Sequence, residues 1–448
     1  MQKKSNGMYA WILLGENNPS GTNYNDSISC YQTLNRFNVY QTLDAVNLCF
    51  FVTVKRTDGS WTIELGNKDQ TYPSNQPGNN THPSTQDYME YVIRDAKAAN
   101  PNMLFLATLG YNEGVLSNIF SGSDDSTGAT NFANNLVEYL ADNNLDGFDL
   151  DWEYPVPNSI TSEQFSLLFN AIRKAFDASS RKYYLTISPA GTGSMVAEVV
   201  NQTTDWLNVQ AYGPTSKEDY TNIGIDEDLL SFGAKYESTS SYDIAPYQTP
   251  QQAHSEFLDY SSAKTCTWRL NSGNYQSEQA YQLIYSQLVR GMGLPFDDSD
   301  ILGAIGSPVL EQLVIRHGDV INAIQTANSA PFTFNNQTVQ IDYSLLLHGS
   351  ETGTVDAITI PSNDSLVAVT ISRGTWFGWQ CVVQVLFECQ SGQQYGPFGT
   401  MHYATNIQKQ TYKQEGKSLV GFKGRLVKVP LSNLPDSNIV ADLEPIFM

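Results

Sequence analysis

Four carboxylate side chains lie close together near the middle of the chain. They are Asp146, Asp149, Asp151 and Glu153, and large apolar residues alternate with the last three. Because successive side chains of a β-strand point to opposite faces, Asp149, Asp151 and Glu153 would share one face. Carboxylates on one buried face repel each other and are costly to desolvate, so stability alone does not favour this pattern. Acid–base chemistry does, because it needs carboxyl groups with shifted proton affinities.

An edge strand with its acidic face in water is the alternative interpretation of this pattern. The flanking residues favour an interior strand, because Gly147 permits a tight entry and Pro155 ends the strand. The opposite face is wholly apolar, with Phe148, Leu150 and Trp152. We therefore predict a buried strand whose acidic end meets a cleft.

The run DGFDLDWEYP, which contains these acids, resembles the DxxDxDxE signature of the family 18 glycoside hydrolases, the chitinases and endo-β-N-acetylglucosaminidases. All four acids of the signature are present. The resemblance implies that Glu153 is the general acid and then the general base, while the acetamide of the substrate is the nucleophile. It also implies that Asp151 orients this acetamide, that Asp149 is the buried partner of Asp151, and that Asp146 is structural.

The acidic cluster has an electrostatic consequence of its own. Asp149 and Asp151 precede Glu153 on the same predicted face, so like charges are only a few ångströms apart. Such a cluster shares protons, and the pKa of at least one member is raised. A carboxyl group that keeps its proton near neutral pH is what general-acid catalysis requires.

Two further runs resemble family motifs on predicted strands. Gln210–Gly213 resembles the MxYD motif, which implies that the Tyr212 hydroxyl donates to the acetamide carbonyl and that Gln210 lines the same pocket. Gly213 departs from the motif at its last position. Thr108–Tyr111 resembles the SxGG motif, with threonine in place of serine and tyrosine in place of the second glycine.

Three aromatic residues are predicted to bind the sugar. Trp268 occupies the place of the eighth-strand tryptophan that floors the catalytic subsite in the family. Without the resemblance, a core aromatic is the alternative for this residue. Tyr154 follows Glu153 directly, and Tyr9 lies in the first predicted strand.

Composition narrows the classes of partner. The chain has 448 residues with 46 acidic and 25 basic side chains, a formal net charge of −21. This excess repels phosphate, which argues against nucleic acid and anionic membranes and fits an uncharged polysaccharide. No run approaches the ~20 apolar residues of a membrane helix, so no membrane insertion is predicted.

The five histidines are scattered and the five cysteines match no metal-binding spacing, so we predict no metal, no cofactor and mostly free buried thiols.

The elements that would position these residues follow an alternating α/β pattern over residues 1–291. Eight strands with intervening helices predict a (β/α)8 TIM barrel, whose chemistry lies at the carboxyl ends of the strands. The pattern is weakest for the seventh strand. Besides the acidic strand, the predicted strands are 8–14, 43–54, 103–110, 183–188, 206–212, 230–236 and 265–270.

The remainder of the chain shows a different sequence pattern. Residues 292–302 mix glycine, proline and acids and are predicted to be a linker. Residues 303–448 show strands separated by turns and no convincing helix, which predicts an all-β domain. This domain resembles the jacalin-related lectins, which implies a β-prism. Four runs carry the resemblance: Ile315–Ile321, His348–Gly353, Tyr395–Gly399 and Gly421–Arg425.

One departure bears on sugar binding by this β-domain, residues 303–448. The family's GxxxD sugar loop is not found after Arg425, where an altered segment follows. A second glycan bound at this domain is therefore one alternative. A β-prism that has lost its sugar specificity, or sugar binding itself, is the other.

These resemblances imply a retaining, endo-acting chitinase that cuts β-1,4 N-acetylglucosamine linkages, with chitin or another N-acetylglucosamine-containing glycan as substrate. The segment between the seventh and eighth strands is too short to hold an inserted domain that would form a side wall of the substrate cleft. This favours an open cleft and endo-type cutting. An endo-β-N-acetylglucosaminidase acting on glycoprotein glycans, or a catalytically silent chitin-binding lectin or toxin component, remains an alternative. We expect a secreted, extracellular protein, although no apolar run of signal-peptide length is visible near residue 1.

Overall fold

The chain folds into two compact units, Met1–Val289 and Arg290–Met448. The computed structural model describes residues 6–71, 82–112, 114–122, 124–240, 243–290, 295–334, 337–431 and 434–448. Each unit has an apolar core of its own. All five cysteines are buried and free, as predicted.

Eight parallel strands close into a barrel in the first unit. The strands described in this unit are β1 (Gly7–Leu13), β2 (Ala45–Lys55), β3 (Trp61–Leu65), β4 (Leu104–Leu109), β5 (Gly147–Trp152), β6 (Tyr184–Pro189), β7 (Trp206–Val209), β8 (Leu230–Lys235), β9 (Ser238–Ser240), β10 (Asp243–Pro246) and β11 (Lys264–Trp268). The ring runs β1, β11, β8, β7, β6, β5, β4, β2, and β2 pairs with β1 to close it. Strand β3 extends the sheet antiparallel to β2. The predicted TIM barrel is confirmed, including its weakest strand, β8.

Helices follow the barrel strands and cover them. The helix α4 shows why these segments are helical: Thr161 and Gln164 form a capping box at its start, and an apolar stripe, Phe165, Leu168 and Ile172, recurs at helical spacing and is buried. The helices described in this unit are α1 (Cys30–Arg36), α2 (Thr85–Ala99), α3 (Asp125–Asp142), α4 (Ser162–Ala178), α5 (Ala197–Thr203), α6 (Lys217–Asn222), α7 (Pro250–Phe257) and α8 (Tyr275–Arg290), with 3₁₀ turns at Val39–Thr42, Ser117–Phe120, Val156–Asn158 and Glu227–Leu229.

The acidic strand β5 is an interior strand. It pairs in parallel with β4 on one side and β6 on the other, and all six of its residues are buried. Gly147 is needed at its start because a side chain there would collide with the Tyr184 carbonyl of β6. The alternative of a solvated edge strand is therefore excluded.

The second unit is a β-prism of three sheets, β12–β22–β23, β15–β14–β13–β17 and β20–β19–β18–β21, with β16 paired to β14. The bounds are β12 (Pro295–Asp297), β13 (Val309–His317), β14 (Ile321–Phe334), β15 (Gln337–Ser344), β16 (His348–Gly349), β17 (Thr354–Thr359), β18 (Leu366–Trp376), β19 (Trp379–Cys389), β20 (Gln394–Phe398), β21 (Ala404–Lys413), β22 (Leu419–Leu431) and β23 (Leu434–Phe447). One helix, α9 (Ser299–Ile305), precedes β13.

The prediction of a linker at 292–302 is wrong over its described part. Residues 295–302 belong to the second unit, where β12 pairs with β22 and α9 begins at Ser299. Phe296 is in the prism core, and the buried Asp298 carboxylate accepts hydrogen bonds from Phe422 N at 3.0 Å and bonds His348 Nε2 at 2.8 Å. These contacts join segments far apart in sequence, so a local pattern did not reveal them. Residues 292–294 lie outside the described residues.

Candidate active site

The carboxyl ends of the barrel strands enclose a cavity of about 380 Å³. Strand β5 brings acidic side chains to it, β6 and β7 bring polar side chains, β8 brings a lysine and β11 brings a tryptophan. This is the end of a TIM barrel at which catalytic residues lie. The lining includes Phe50, Asp151, Glu153, Ser188, Gln210, Tyr212, Lys235 and Trp268.

Asp149 is enclosed rather than exposed to this cavity. Its carboxylate accepts hydrogen bonds from Thr108 Oγ1 at 3.1 Å, Thr186 Oγ1 at 2.5 Å and Ser188 Oγ at 2.8 Å, and the residue is fully buried. Burial raises the pKa of Asp149, and the three hydroxyl donors partly counter that rise. Asp149 therefore anchors neighbouring strands β4, β5 and β6 beneath the cavity, consistent with the buried partner expected there.

The side-chain amide of Gln210 bridges Asp151 and Glu153. Gln210 Nε2 lies 3.1 Å from Asp151 Oδ1, 2.7 Å from Glu153 Oε1 and 3.1 Å from the Ser188 carbonyl oxygen. Burial raises the pKa of Asp151 well above its usual value, and the neighbouring charges of Glu153 and Asp149 add to the rise. The expected raised pKa within the cluster is thus present, at Asp151.

Tyr212 supplies a hydroxyl group that keeps its proton. Its pKa is raised well above the usual value, first by burial and further by the charges of Asp151 and Glu153. The Lys235 ammonium lies 5.4 Å from the centre of the Tyr212 ring. A protonated tyrosine beside the acid pair is a hydrogen-bond donor suited to an amide carbonyl.

Trp268 belongs to an aromatic part of the lining. Its ring lies 5.9 Å from Trp11 and 6.2 Å from Phe50, between ring centres. The indole Nε1 donates a hydrogen bond to Glu237 Oε2 at 2.7 Å. The partly exposed indole lines the same cavity as Asp151 and Glu153, and it offers the kind of apolar face on which a sugar ring packs.

Two predicted substrate-binding residues lie elsewhere. Tyr9 is a core residue: its ring stacks on Trp206 at 4.5 Å, it is 6% exposed, and its hydroxyl lies towards Gly7 at the start of β1. Tyr154 is 79% exposed, and neither tyrosine lines the cavity.

Asp146 is structural, as expected, because it accepts a hydrogen bond from Phe105 N at 2.9 Å.

Other lining residues were not singled out from sequence. Lys235 is the last residue of β8, Ser188 lies near the end of β6, and Phe50 lies in β2. For Lys235 and Ser188, a position at or near a strand end was the available signal. Tyr111, noted above only as a departure from a motif, also lines the cavity.

Among the described residues, no group of histidine, cysteine, aspartate or glutamate side chains is placed to hold a metal ion. In the same part of the chain, none of the helices has the length and apolar character needed to cross a membrane.

The geometry agrees with comparisons to known proteins. The model of glycosyl hydrolases family 18 matches residues 22–340, and the chain belongs to that family. The jacalin-like lectin domain model matches residues 290–429. The chain is thus a chitinase-like family 18 glycoside hydrolase barrel followed by a jacalin-like β-prism.

Curated relatives match over part of their length. Chitinase A1 of Niallia circulans is 29% identical over 174 residues, 34% of this chain and 24% of the relative. An endochitinase of Brugia malayi is 38% identical over 90 residues, 20% of this chain and 17% of the relative. Endochitinase 1 of Metarhizium anisopliae is 27% identical over 157 residues, 32% of this chain and 36% of the relative. The chain therefore spans about a third or less of these relatives.

Solved structures are similar to parts of the chain. A chitinase-like agglutinin from Robinia pseudoacacia has a TM-score of 0.44 at 13% identity, covering 63% of this chain and 99% of that one. A family 18 chitinase from Pseudoalteromonas aurantia has a TM-score of 0.42 at 19% identity, covering 62% and 99%. An artocarpin–mannopentose complex has a TM-score of 0.24 at 18% identity, covering 35% and 91%.

Proposed function

We propose that this protein is a retaining, endo-acting chitinase that hydrolyses β-1,4 linkages between N-acetylglucosamine units with the substrate's acetamide as nucleophile. One observation carries the proposal: the Gln210 amide joins Asp151 and Glu153 at the cavity, within hydrogen-bonding distance of both. This pairing sets a proton donor beside a carboxylate that can hold an amide N–H. Asp149 is enclosed by three hydroxyls, so it is not free to act as a nucleophile.

The reaction would proceed in two steps. In the first, Glu153 donates its proton to the glycosidic oxygen while the acetamide oxygen attacks the anomeric carbon and the glycosidic bond breaks. Asp151 accepts a hydrogen bond from the acetamide N–H, and Tyr212 donates one to its oxygen. In the second, the Glu153 carboxylate takes a proton from water, and the water oxygen attacks the same carbon and releases the acetamide. Two inversions at that carbon keep its β configuration.

The stereochemistry of the first product tests this proposal. We expect proton NMR of early products from an N-acetylglucosamine oligomer to show the β anomer before mutarotation. An initial α anomer would exclude participation by the acetamide. A high-mannose glycoprotein digested in parallel separates the two substrate classes, because release of its glycan without cutting of chitin oligomers would identify an endo-β-N-acetylglucosaminidase.

A substrate of this kind is an extracellular polymer. We therefore also propose that the protein acts outside the cell that makes it. Comparing its amounts in the medium and in washed cells tests this location, and retention of the whole protein in cells would contradict it.

A further inference from the structure

Glu237 lies beyond the end of β8, and its carboxylate holds groups from the end of β11. Oε2 accepts the hydrogen bond from Trp268 Nε1 at 2.7 Å, and Oε1 accepts one from Arg269 Nη2 at 3.2 Å. The Lys235 ammonium lies 3.8 Å from Oε2. One carboxylate therefore joins the final residues of two barrel strands at the cavity.

The guanidinium group of Arg269 is itself firmly held. Its side chain is 12% exposed and makes a second ion pair with Glu16, at 2.6 Å. A buried cation needs its partners, because removing one leaves charge uncompensated. Glu16 and Glu237 thus share the compensation of Arg269, and this anchoring limits the positions that the Glu237 carboxylate can adopt.

The other contacts of the Trp268 ring are less directional. Trp11 and Phe50 meet it as tilted rings at 5.9 and 6.2 Å, and the Arg269 guanidinium lies 5.9 Å from the centre of the indole ring. None of these three contacts engages the indole N–H. A hydrogen bond to a charged acceptor is directional and roughly twice as strong as a neutral one. The hydrogen bond to Glu237 is therefore the most directional of these contacts with the indole.

We propose that Glu237 is a positioning residue that holds Trp268 in the orientation in which it receives a sugar ring. This inference rests on the proposed function, in which Trp268 floors the sugar site. A stacking surface that is already oriented loses less side-chain freedom when the sugar binds. Glu237 makes no contact with the reacting atoms and acts through the indole.

We expect loss of the Glu237 carboxylate to weaken substrate binding rather than to slow the catalytic step. In Glu237→Leu we expect KM for an N-acetylglucosamine oligomer to rise about tenfold while kcat changes less than about threefold, because the floor contact is made in both the ground and transition states. Glu237→Gln should recover most of the affinity, since its amide oxygen still accepts the Trp268 N–H. A fall in kcat with unchanged KM in Glu237→Leu would overturn the proposal.

Glu16→Leu is the matched control, because it breaks the other half of the Arg269 pairing and leaves the hydrogen bond between Trp268 and Glu237 in place. We expect both leucine variants to lower Tm by similar amounts and only Glu237→Leu to raise KM. Equal rises in KM would show that the integrity of the Arg269 pairing, rather than the hold on Trp268, governs binding, and would refute the positioning role.

A double-mutant cycle with Trp268→Phe decides whether Glu237 acts through the indole N–H. The phenylalanine keeps an aromatic face but has no N–H, so in that background Glu237→Leu should change the oligomer Kd less than about twofold. Independent, multiplying losses would overturn the proposal.

Measuring Kd by calorimetry on full-length Glu153→Gln protein separates this test from turnover. Binding that is tight but insensitive to Glu237 refutes the positioning role alone. Failure of this protein to bind the oligomer at all would refute the floor role of Trp268, and with it both this inference and the proposed function.

Discussion

Three carboxyl groups on one face of β5 have three different surroundings. Asp149 is enclosed by hydroxyls from β4 and β6. Asp151 is joined to Glu153 through the Gln210 amide, and both of these acids line the cavity. Position along the strand sets this difference, because the barrel interior is buried and the cavity lies at its carboxyl end. The same chemical group can therefore anchor strands, orient a substrate or move a proton.

Replacement of Glu153, the proposed proton donor, is the sharpest test at the scale of one residue. We expect Glu153→Gln to lower kcat on an N-acetylglucosamine oligomer by ~10²–10⁴-fold, because the amide cannot donate the proton, while Kd changes little. Steady-state kinetics and calorimetry measure the two quantities. Glu163→Gln, in the first turn of the following helix α4, is the matched control and should keep wild-type kinetics. Retained turnover in Glu153→Gln would exclude the assigned role.

At the scale of one element, α8 carries a buried acid that the chemistry does not use. Glu278 lies in its first turn, is fully buried and accepts a hydrogen bond from Ser272 N at 3.0 Å. Burial raises its pKa from 4.5 to about 8, although the Ser272 bonds and the charge of Arg269 oppose the rise. The folded protein therefore holds a proton there at pH values where the unfolded chain has released it.

That proton makes folding stability depend on pH. Because the pKa of Glu278 is higher in the folded state, the free energy of unfolding should fall as pH rises from about 4.5 to about 8, by ~1.4 kcal/mol per pH unit from this group, and then level off. Glu278→Gln should remove this slope and be the more stable protein above pH 8.

Denaturant titrations of both proteins between pH 5 and 9 measure the difference between their slopes. The exposed Glu198→Gln, on α5, is the control and should leave the slope as in wild type. Parallel curves for wild type and Glu278→Gln would contradict a buried, protonated Glu278.

At the scale of the whole molecule, the depth of the cleft depends on what the barrel carries between its last two strands. Between β8 and β11 the described residues form two short antiparallel strands, β9 and β10, and the helix α7. This segment is too small to form a wall domain beside the cavity. A cleft without such a domain beside it would admit the middle of a polymer as readily as its end.

We therefore predict internal cutting of a soluble chitin derivative. Viscosity should fall rapidly while few reducing ends have formed, because each internal cut shortens the chain greatly. Time courses of viscosity and reducing ends on the same sample measure this. Dimers as the sole early product would indicate processive cutting from an end and contradict the prediction.

The β-prism has a separate prediction, which concerns whether it binds sugar. It belongs to a compact unit, Arg290–Met448, with its own core, and we expect this unit to bind a neutral glycan without the barrel. A glycan array of the isolated unit, with a heat-unfolded sample as control, measures this. Absence of binding by the folded unit would favour a β-prism that has lost sugar binding, in line with the missing GxxxD loop.

The sequence alone determined the barrel, the prism and the central acids. The pattern of apolar and polar residues along a strand reflects the different surroundings of its two faces in the folded protein. This pattern predicted all eight barrel strands, including β8, for which it was weakest. Asp149, Asp151, Glu153 and Gln210 were predictable because close spacing on a strand, or a family motif at its end, brings such residues to one place.

Only the tertiary structure decided which other side chains join the site. Tyr9 lies on a barrel strand but turns to the opposite end, and the linker prediction failed because Phe296 packs against strands more than a hundred residues away. Lys235 and Glu237 carry no motif, and their importance comes from contacts with Tyr212 and Trp268 across strand ends. Side-chain direction and long-range packing depend on the closed barrel as a whole, which no local pattern encodes.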